Sequence, residues 1–252
     1  DDPVVVGLRG RLNKPVVTYG SKPEADYFAS NIRPQGSHMT FLAHLPDDTE
    51  LPIDLALAGR HNVLNALAAI AVADKVGASH QSIVDGLKNF QGIDRRFEIL
   101  GELVVAGGSA VVVDDYAHHP SEIAATLEAV SGCWPARRRV VVFQPHRYTR
   151  TRDLLDEFAA LLANEPHLVV ADVYPAGEAV ITSASGAELC KRIRRFGGVD
   201  PVYLDDIFLL PGKLSELVHP GDVVLTLGAG NIGRVARKLV GEHSQWTDGG
   251  TE

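Results

Sequence analysis

One short stretch, V-V-V-D-D-Y-A-H-H-P-S-E-I (Val111–Ile123), gathers two carboxylates, a phenol and two imidazoles within six residues. Its apolar run predicts a strand, and Pro120 predicts the start of a helix because proline suits the first helical turn. His118 and His119 then precede a helix N-terminus, where free N–H groups favour a bound anion. In the structural alternative, an aspartate binds loop backbone and the histidines only pack. The five titratable groups together favour a functional site.

A second stretch, F-Q-P-H-R-Y-T-R-T-R (Phe143–Arg152), follows another apolar run. Arginine forks match the geometry of carboxylates and phosphates. Cations at a helix N-terminus oppose the helix dipole, so an empty cluster is unfavourable and a bound anion removes the conflict. Pairing with neighbouring acidic residues is the alternative, and it suits Arg152 better than Arg147 or Arg150.

A third stretch, G-A-G-N-I-G (Gly228–Gly233), matches the G-x-G-x-x-G string between a strand and a helix. Binding of NAD would also need an acidic residue about 20 positions later, at the end of a following strand. The sequence ends before such a residue, which disfavours an NAD oxidoreductase. We expect a glycine-rich turn that lets a ligand approach the backbone closely.

Two further motifs lie upstream. G-R-H-N-V-L-N places His61, Asn62 and Asn65 at a helix start. An asparagine amide offers a donor and an acceptor together, which suits a purine edge; an N-cap with a polar stripe is an equal alternative. I-D-R-R-F-E places Arg95 and Arg96 at a domain boundary, where a hinge would bring a cation over a ligand.

The elements that must position these residues form two patterns. Up to Leu57 the sequence shows short β-like runs, and helices are predicted over residues 62–76 and 79–89, the second capped by Ser79. After Gly92, strand and helix patterns alternate, which predicts an α/β fold with a three-layer domain and a largely parallel sheet. Ligands of such sheets bind beyond the carboxyl ends of the strands, where all three stretches are expected to lie. We therefore expect domains over residues 1–92 and 93–241 and a polar tail over residues 242–252. The later elements are predicted at 111–113, 120–131, 140–143, 151–163, 168–171, 185–196, 223–227 and 232–240.

Composition narrows the class of protein. The 252 residues carry a net charge of −8 and 45% apolar residues, which is ordinary for a globular protein and argues against a general nucleic-acid surface. No apolar run reaches the roughly 20 residues of a membrane span. The basic run Arg137–Arg139 is expected to edge a strand. Cys133 and Cys190 form no metal or disulfide pattern, so we expect a cytoplasmic protein.

Taken together, the motifs G-R-H-N-V-L-N-A-L-A-A-I, D-R-R-F-E, V-D-D-Y-A-H-H-P-S-E-I and F-Q-P-H-R-Y-T-R-T resemble the Mur ligase family. These are ATP-dependent amide ligases of bacterial peptidoglycan precursor synthesis. The resemblance extends almost over the whole chain, as far as Val240. It implies that residues 1–92 are the C-terminal portion of a central ATPase domain and that residues 93–241 are a Rossmann-like ligase domain.

The resemblance also implies a reaction. ATP, with Mg²⁺, would phosphorylate the lactyl carboxylate of UDP-N-acetylmuramate, and L-alanine would attack the acyl phosphate. A tripeptide acceptor and a non-catalytic nucleotide- or amino-acid-binding fragment remain alternatives. The family's G-x-x-G-K-[ST] phosphate loop and upstream magnesium ligands do not occur in the sequence. We therefore assign no metal ligand and expect residues 1–252 alone to be inactive.

Specific residue roles follow from the resemblance only. The cofactor-binding set, for adenine, ribose and phosphates, comprises His61, Asn62, Asn65, Asp115 and Arg96. Tyr116 would lie beside the nucleotide and the substrates. The residues that gather alanine and the reacting carboxylate are His118, His146, Arg147 and Arg150, and the catalytic pair is His118 and Arg96.

Overall fold

The computed structural model describes residues 2–241, which divide into two compact units. The first unit runs to Gly92 and includes Leu127–Pro135. The second comprises Ile93–Thr126 and the residues from Ala136 onward. The expected tail over residues 242–252 lies outside the described residues. Within residues 2–241, every helix is too short or too polar to cross a lipid bilayer.

The first unit is built on a four-stranded sheet. Its strands, in spatial and chain order, are β1 (Tyr19–Gly20), β2 (Tyr27–Gln35), β3 (His38–His44) and β4 (Glu50–Leu55). Alternate residues of β3 are buried, as expected for a strand with one face on a core. That core also contains apolar residues of helices α2 (Arg60–Lys75) and α3 (His80–Lys88), which follow a short helix α1 (Pro3–Leu8). The hydroxyl of Ser79 caps α3, as predicted.

The second unit is built on a six-stranded sheet in the order β5-β6-β10-β7-β8-β9. Its strands are β5 (Glu98–Val105), β6 (Gly108–Asp115), β7 (Arg139–Phe143), β8 (Leu168–Ala171), β9 (Val202–Leu204) and β10 (Val223–Leu227). The edge strand β5 is antiparallel, whereas all other neighbours pair in parallel. The predicted α/β fold class with a largely parallel sheet is confirmed.

Helices connect these strands. They are α4 (Pro120–Cys133), α5 (Tyr148–Asp153), α6 (Leu155–Leu162), α7 (Gly186–Arg195), α8 (Leu210–Leu217) and α9 (Ile232–Leu239). The single helix predicted over residues 151–163 is wrong in its bounds. It begins three residues earlier and breaks at Leu154, whose φ of −115° ends α5 before α6 begins.

Strand order brings the three chemically unusual turns together. Strand β10 lies between β6 and β7, and Leu227 pairs with both Asp115 and Phe143. The three strands therefore end at one level, at the carboxyl edge where open α/β sheets bind ligands. The glycine-rich turn after β10 sits between the other two turns.

Candidate functional site

Asp114, the second-last residue of strand β6, is fully buried and paired inside the protein. Its Oδ2 accepts a hydrogen bond from Arg95 Nε at 2.8 Å, and its Oδ1 accepts one from Thr226 Oγ1 at 2.6 Å. A buried carboxylate needs such partners, because a lone charge in the interior is costly. Asp114 is therefore part of the scaffold beneath the turn.

Asp115 is 3% exposed, and both of its carboxylate oxygens hold the loop backbone. Oδ2 accepts from Phe97 N at 2.8 Å, and Oδ1 accepts from Ala117 N at 2.7 Å. Burial raises the pKa of Asp115, although these backbone hydrogen bonds and Arg96 oppose the rise. The geometry matches the structural alternative for this aspartate, and its contact with ribose hydroxyls stays a prediction.

Arg95 joins the boundary motif to two turns. Besides binding Asp114, its guanidinium donates to the carbonyls of Gly228 and Gly230 and lies 5.1 Å from the ring centroid of Tyr116. The backbone is held too, because Tyr116 N donates to the Arg95 carbonyl at 2.6 Å. Arg95 adopts a left-handed φ of +59°, which a non-glycine residue takes only when its surroundings enforce it.

The side chain of Arg96 is more exposed than that of Arg95 and has different partners. Its side chain is 47% exposed, its Nη1 lies 3.7 Å from Glu122 Oε1, and its Cζ lies 5.5 Å from the Tyr116 ring centroid. Two consecutive arginines therefore differ in availability: the first is bound inside the protein, and the second can reach a ligand. Its predicted contact with ATP phosphates stays a prediction.

The glycines of the glycine-rich turn pack closely against other parts of the protein. A Cβ at Gly230 would lie 2.7 Å from Tyr174 Cβ, and Cβ atoms at Gly228 and Gly233 would overlap Gln144 and Arg95. The amide of Gln144 also binds both Asn231 Oδ1 and Ile232 N. Close packing of the protein itself thus accounts for these glycines, and the approach of a ligand to the backbone of this turn stays a prediction.

His146 is the centre of the turn after β7. Its ring stacks on Tyr174, with centroids 5.4 Å apart and an interplanar angle of 11°, and lies 5.9 Å from the His118 ring. Arg150 Nη1 lies 3.4 Å from its Nδ1 and donates to its carbonyl at 3.2 Å. Burial lowers the pKa of His146, and the charges of Arg150, His118 and Arg147 lower it further.

The arginines of this turn differ in their pairing. Arg152 Nε lies 2.8 Å from Asp153 Oδ1, as the alternative interpretation expected for that residue. Within residues 2–241, neither Arg147 nor Arg150 forms an ion pair with a carboxylate within 4.0 Å. These two arginines and the rings of His118 and His146 thus form a cluster of donors next to one another.

The ring of His118 is held in place by Tyr116, which belongs to the same loop. Its Nδ1 donates to the carbonyl of Tyr116 at 2.9 Å, and the Tyr116 ring meets it edge-on at 5.4 Å. Glu122 accepts from the backbone N–H groups of His118 and His119, so it caps the start of α4. The Nδ1 contact leaves His118 Nε2 as the ring nitrogen for another partner, whereas the exposed His119 only approaches Ser121.

In the first unit, Asn62 and Asn65 bind each other at the start of α2. Asn65 Nδ2 donates to Asn62 Oδ1 at 3.2 Å, and Asn62 Nδ2 donates to the carbonyl of Ala58 at 2.7 Å. The N-cap is Gly59 rather than Asn62, because α2 begins two residues earlier than predicted. Asn65 is exposed and His61 half-buried, and the adenine contact of all three stays a prediction.

Comparison with known proteins decides the family. A model of the Mur ligase glutamate ligase domain matches residues 95–230, more than half of the chain, and a model of the Mur ligase middle domain matches residues 1–73. The chain belongs to the Mur ligase family.

Particular Mur ligases are similar in sequence or structure. A UDP-N-acetylmuramate–L-alanine ligase of Halorhodospira halophila is 46% identical over 241 residues, 96% of this chain and 50% of that protein. The crystal structure of a UDP-N-acetylmuramate–alanine ligase from Thermotoga maritima superposes with a TM-score of 0.73 at 28% identity, covering 89% of this chain and 47% of that one. A murein peptide ligase from Psychrobacter arcticus shares the fold, with a TM-score of 0.66 at 22% identity over 94% of this chain and 48% of that one. The chain spans about half the length of the relatives it matches.

Sequence reasoning missed three residues of this candidate site: Gln144, Tyr174 and Glu178. Gln144 stands inside a quoted motif, but its partners are far away in the chain. Arg95 was expected to lie over a ligand, but its guanidinium is bound inside the protein instead. Tyr174 and Glu178 belong to D-V-Y-P-A-G-E, which follows β8 directly. The strand-end rule that singled out the other turns could have found this one.

The described residues offer no metal centre. Among residues 2–241, no group of three His, Cys, Asp or Glu side chains is arranged to hold a metal ion. The carboxylates around this cluster are already engaged: Glu178 binds Thr149, Glu122 binds the start of α4, and Asp115 binds backbone N–H groups. We therefore assign no step to a metal on these residues.

Proposed function

We propose that this Mur ligase chain belongs to an enzyme that joins L-alanine to the lactyl carboxylate of UDP-N-acetylmuramate, using ATP and an acyl-phosphate intermediate. The observation that carries the proposal is the cluster after β7. Arg147 and Arg150 lie beside two imidazoles and, in the described part of the chain, have no carboxylate of their own within 4.0 Å. A small carboxylate ligand supplies the missing partner.

Each group of the cluster suits a part of the acceptor reaction. Arg150 and Arg147 would bind the carboxylate of alanine through charge-assisted hydrogen bonds. Burial lowers the pKa of His146, which favours the neutral imidazole, and this ring would lie beside the amine. His118 Nε2 would face the reacting acyl group. Cations near a developing oxyanion lower the barrier.

The nucleotide roles are proposed unit by unit. In the first unit, Asn62 with His61 would contact adenine, and Asn65 would support Asn62. In the second unit, Arg96 would bind the ATP phosphates, Asp115 the ribose hydroxyls, and Tyr116 would lie beside the nucleotide. Mg²⁺ would neutralise phosphate charge when bound.

The test is Arg150→Ala in the complete enzyme. Loss of a charge-assisted contact is worth roughly 1.5–3 kcal/mol, so the KM for alanine should rise by about one to two decades. The KM for ATP should change by less than about twofold, because Arg150 would contribute binding energy to alanine and not to ATP.

Arg152→Ala is the matched control, because Arg152 lies on the same short helix but pairs with Asp153. It should leave both KM values unchanged. Equal increases for alanine and ATP in Arg150→Ala would place Arg150 on the nucleotide or in the scaffold. A kcat/KM for an L-alanine-led tripeptide above that for alanine would favour the recycling ligase instead.

A further inference from the structure

The segment D-V-Y-P-A-G-E (172–178), here called the strap, runs alongside the turn that contains His146. Its backbone is paired with that turn: Tyr174 N donates to the carbonyl of Pro145 at 2.9 Å, and Arg147 N donates to the carbonyl of Tyr174 at 2.9 Å. The two segments thus form a parallel bridge at His146 and Tyr174.

Tyr174 holds the plane of the His146 ring. The two rings are nearly parallel, at 11°, and the backbone bridge fixes both residues at their Cα atoms. Behind it, Tyr174 packs on Gly230, where a Cβ would approach the tyrosine to 2.7 Å. Only a glycine there lets the tyrosine ring reach this position.

Glu178 holds the other end of the turn. Its Oε2 accepts from Thr149 N at 3.0 Å, and its Oε1 accepts from Thr149 Oγ1 at 2.6 Å. The helix α5 needs this, because its N-cap residue Arg147 has a left-handed φ of +71° and no capping side chain. The strap therefore supplies the cap that the helix lacks.

We propose that Tyr174 and Glu178 are positioning residues of the acceptor site: Tyr174 orients the imidazole of His146, and Glu178 fixes the start of the helix that carries Arg150. Neither residue needs to touch a substrate. The inference rests on the proposed function for its kinetic consequence, but the geometry it describes can be measured separately.

Kinetics of the complete enzyme provide the first test. Tyr174→Leu should raise the KM for alanine about tenfold, since a misplaced binding group loses affinity even when it is still present, and should leave the KM for ATP within about twofold. Tyr174→Phe keeps the ring stack and should behave as the wild type. An alanine KM unchanged in Tyr174→Leu overturns the proposal, as does an equal rise for both substrates. Damage by Tyr174→Phe equal to that by Tyr174→Leu would also overturn it, because the hydroxyl would then touch substrate.

The titration of the His146 ring, followed by NMR, provides the second test. The charged or titratable groups around this ring are His118, Arg147, Arg150 and Glu178. Tyr174→Leu should raise the pKa of His146 toward its ordinary value, because burial is the largest cause of its lowering. Glu178→Gln should lower it further, because Glu178 is the one group of the four that raises it. Shifts of opposite sign support the proposal, and an unchanged His146 pKa in both variants overturns it.

The two proposals can fail separately. If Arg150→Ala raises the alanine KM but Tyr174→Leu does not, the acceptor site stands and the positioning role is wrong. If Arg150→Ala leaves the alanine KM unchanged, the proposed function is wrong. The His146 titration then decides the positioning role alone.

Discussion

The turns after β6 and after β7 use charge in opposite ways. In the first, both aspartates are hydrogen-bonded within the protein. Asp114 binds Arg95 and Thr226, and Asp115 binds two backbone N–H groups. In the second, Arg147 and Arg150 have no carboxylate ion pair among residues 2–241. One turn is closed on itself, and the other presents unpaired cations.

The difference shows which turn can change partners. A buried, satisfied carboxylate cannot be released without leaving its partners unpaired, so it fixes geometry. An exposed guanidinium, such as that of Arg147, has no such cost and can exchange water for an anion, and Arg150 beside it is half-buried. The first turn is therefore mainly a scaffold for Tyr116 and His118, whereas the second is where we propose that an anionic ligand would bind.

The largest effect should come from breaking the closed turn at Asp114. Asp114→Asn leaves the guanidinium of Arg95, whose side chain is 19% exposed, without its carboxylate. Removal of one partner of a buried pair costs about 3–5 kcal/mol, and we expect the free energy of unfolding to fall by about 3 kcal/mol because the amide still accepts from Thr226. Urea unfolding measures this loss.

The control is an exposed ion pair in α5, the helix that follows the second turn. Asp153 pairs with Arg152 at 2.8 Å, but both side chains are more than half exposed. Such pairs contribute about 0–1 kcal/mol, so Asp153→Asn should barely change stability. If both variants lose the same stability, the contrast between the two turns is wrong.

Asp115→Asn should have a smaller effect on stability and a specific effect on the nucleotide. The amide keeps one acceptor, so one of the two backbone N–H groups loses its partner, at a cost of roughly 1–3 kcal/mol. If Asp115 also holds the ribose, ATP binding should weaken by roughly 1–3 kcal/mol, whereas Asp114→Asn should change ATP affinity by a factor of a few at most. Nucleotide titration of the complete enzyme decides this. Weaker ATP binding in Asp114→Asn than in Asp115→Asn would show that the assignment is off by one residue.

The pH dependence of stability sharpens the same comparison. Burial raises the pKa of Asp115, so the folded protein holds this proton more tightly than the unfolded chain, where the pKa is about 3.9. Its contribution to stability is therefore full at low pH and is lost as the pH rises through the folded pKa. The difference in unfolding free energy between the wild type and Asp115→Asn should fall as the pH rises from about 4.

Asp222 should show the opposite sign. Burial opposes the shift of its pKa, but the hydrogen bonds of Arg138 and of His219 N outweigh burial and hold the pKa below its usual value. The contribution of Asp222 to stability is therefore present above the pKa of the unfolded chain and is lost as the pH falls through the pKa of the folded protein. Urea unfolding of Asp222→Asn beside Asp115→Asn therefore needs to give slopes of opposite sign. Equal slopes would contradict the assignment for Asp115.

Most of the fold could be predicted because its central strands are short apolar runs. The bounds of β8 and β10 were predicted to the residue, and the helices after them within one. The antiparallel edge strand β5 was missed because none of its residues is fully buried, so no face gives a clear apolar pattern. The helix α8 was missed because its first turn contains Pro211 and Gly212, which usually indicate a loop.

The turns that carry the site could be predicted, but the partners of their residues could not. Parallel strands with polar ends indicate a ligand edge, and this rule singled out Asp115, His118 and His146. The bond from Arg95 to the carbonyl of Gly228 joins residues 133 apart, and spacing alone cannot predict such a contact. That contact explains why Arg95 is unavailable to a ligand. The overlap of a Cβ at Gly233 with the same guanidinium explains why that position needs glycine.

The smallest effect should come from Gly233→Ala in α9, which tests whether Arg95 is fixed. Glycine to alanine in a helix normally stabilises by up to about 1 kcal/mol. Gly212→Ala in α8, where no atom lies within 4 Å of the new Cβ, should show this gain. At Gly233 the Cβ would overlap the guanidinium of Arg95, which three hydrogen bonds and the ring of Tyr116 hold in place. We expect Gly233→Ala to destabilise by about 1 kcal/mol, the low end of the cost of overpacking, because the arginine can yield only by loosening those bonds. Urea unfolding of the two variants gives the sign directly. A gain in stability at Gly233 equal to that at Gly212 would mean that Arg95 moves freely. The contacts of Arg95 would then not hold the first turn in place, and the contrast between the two turns would be wrong.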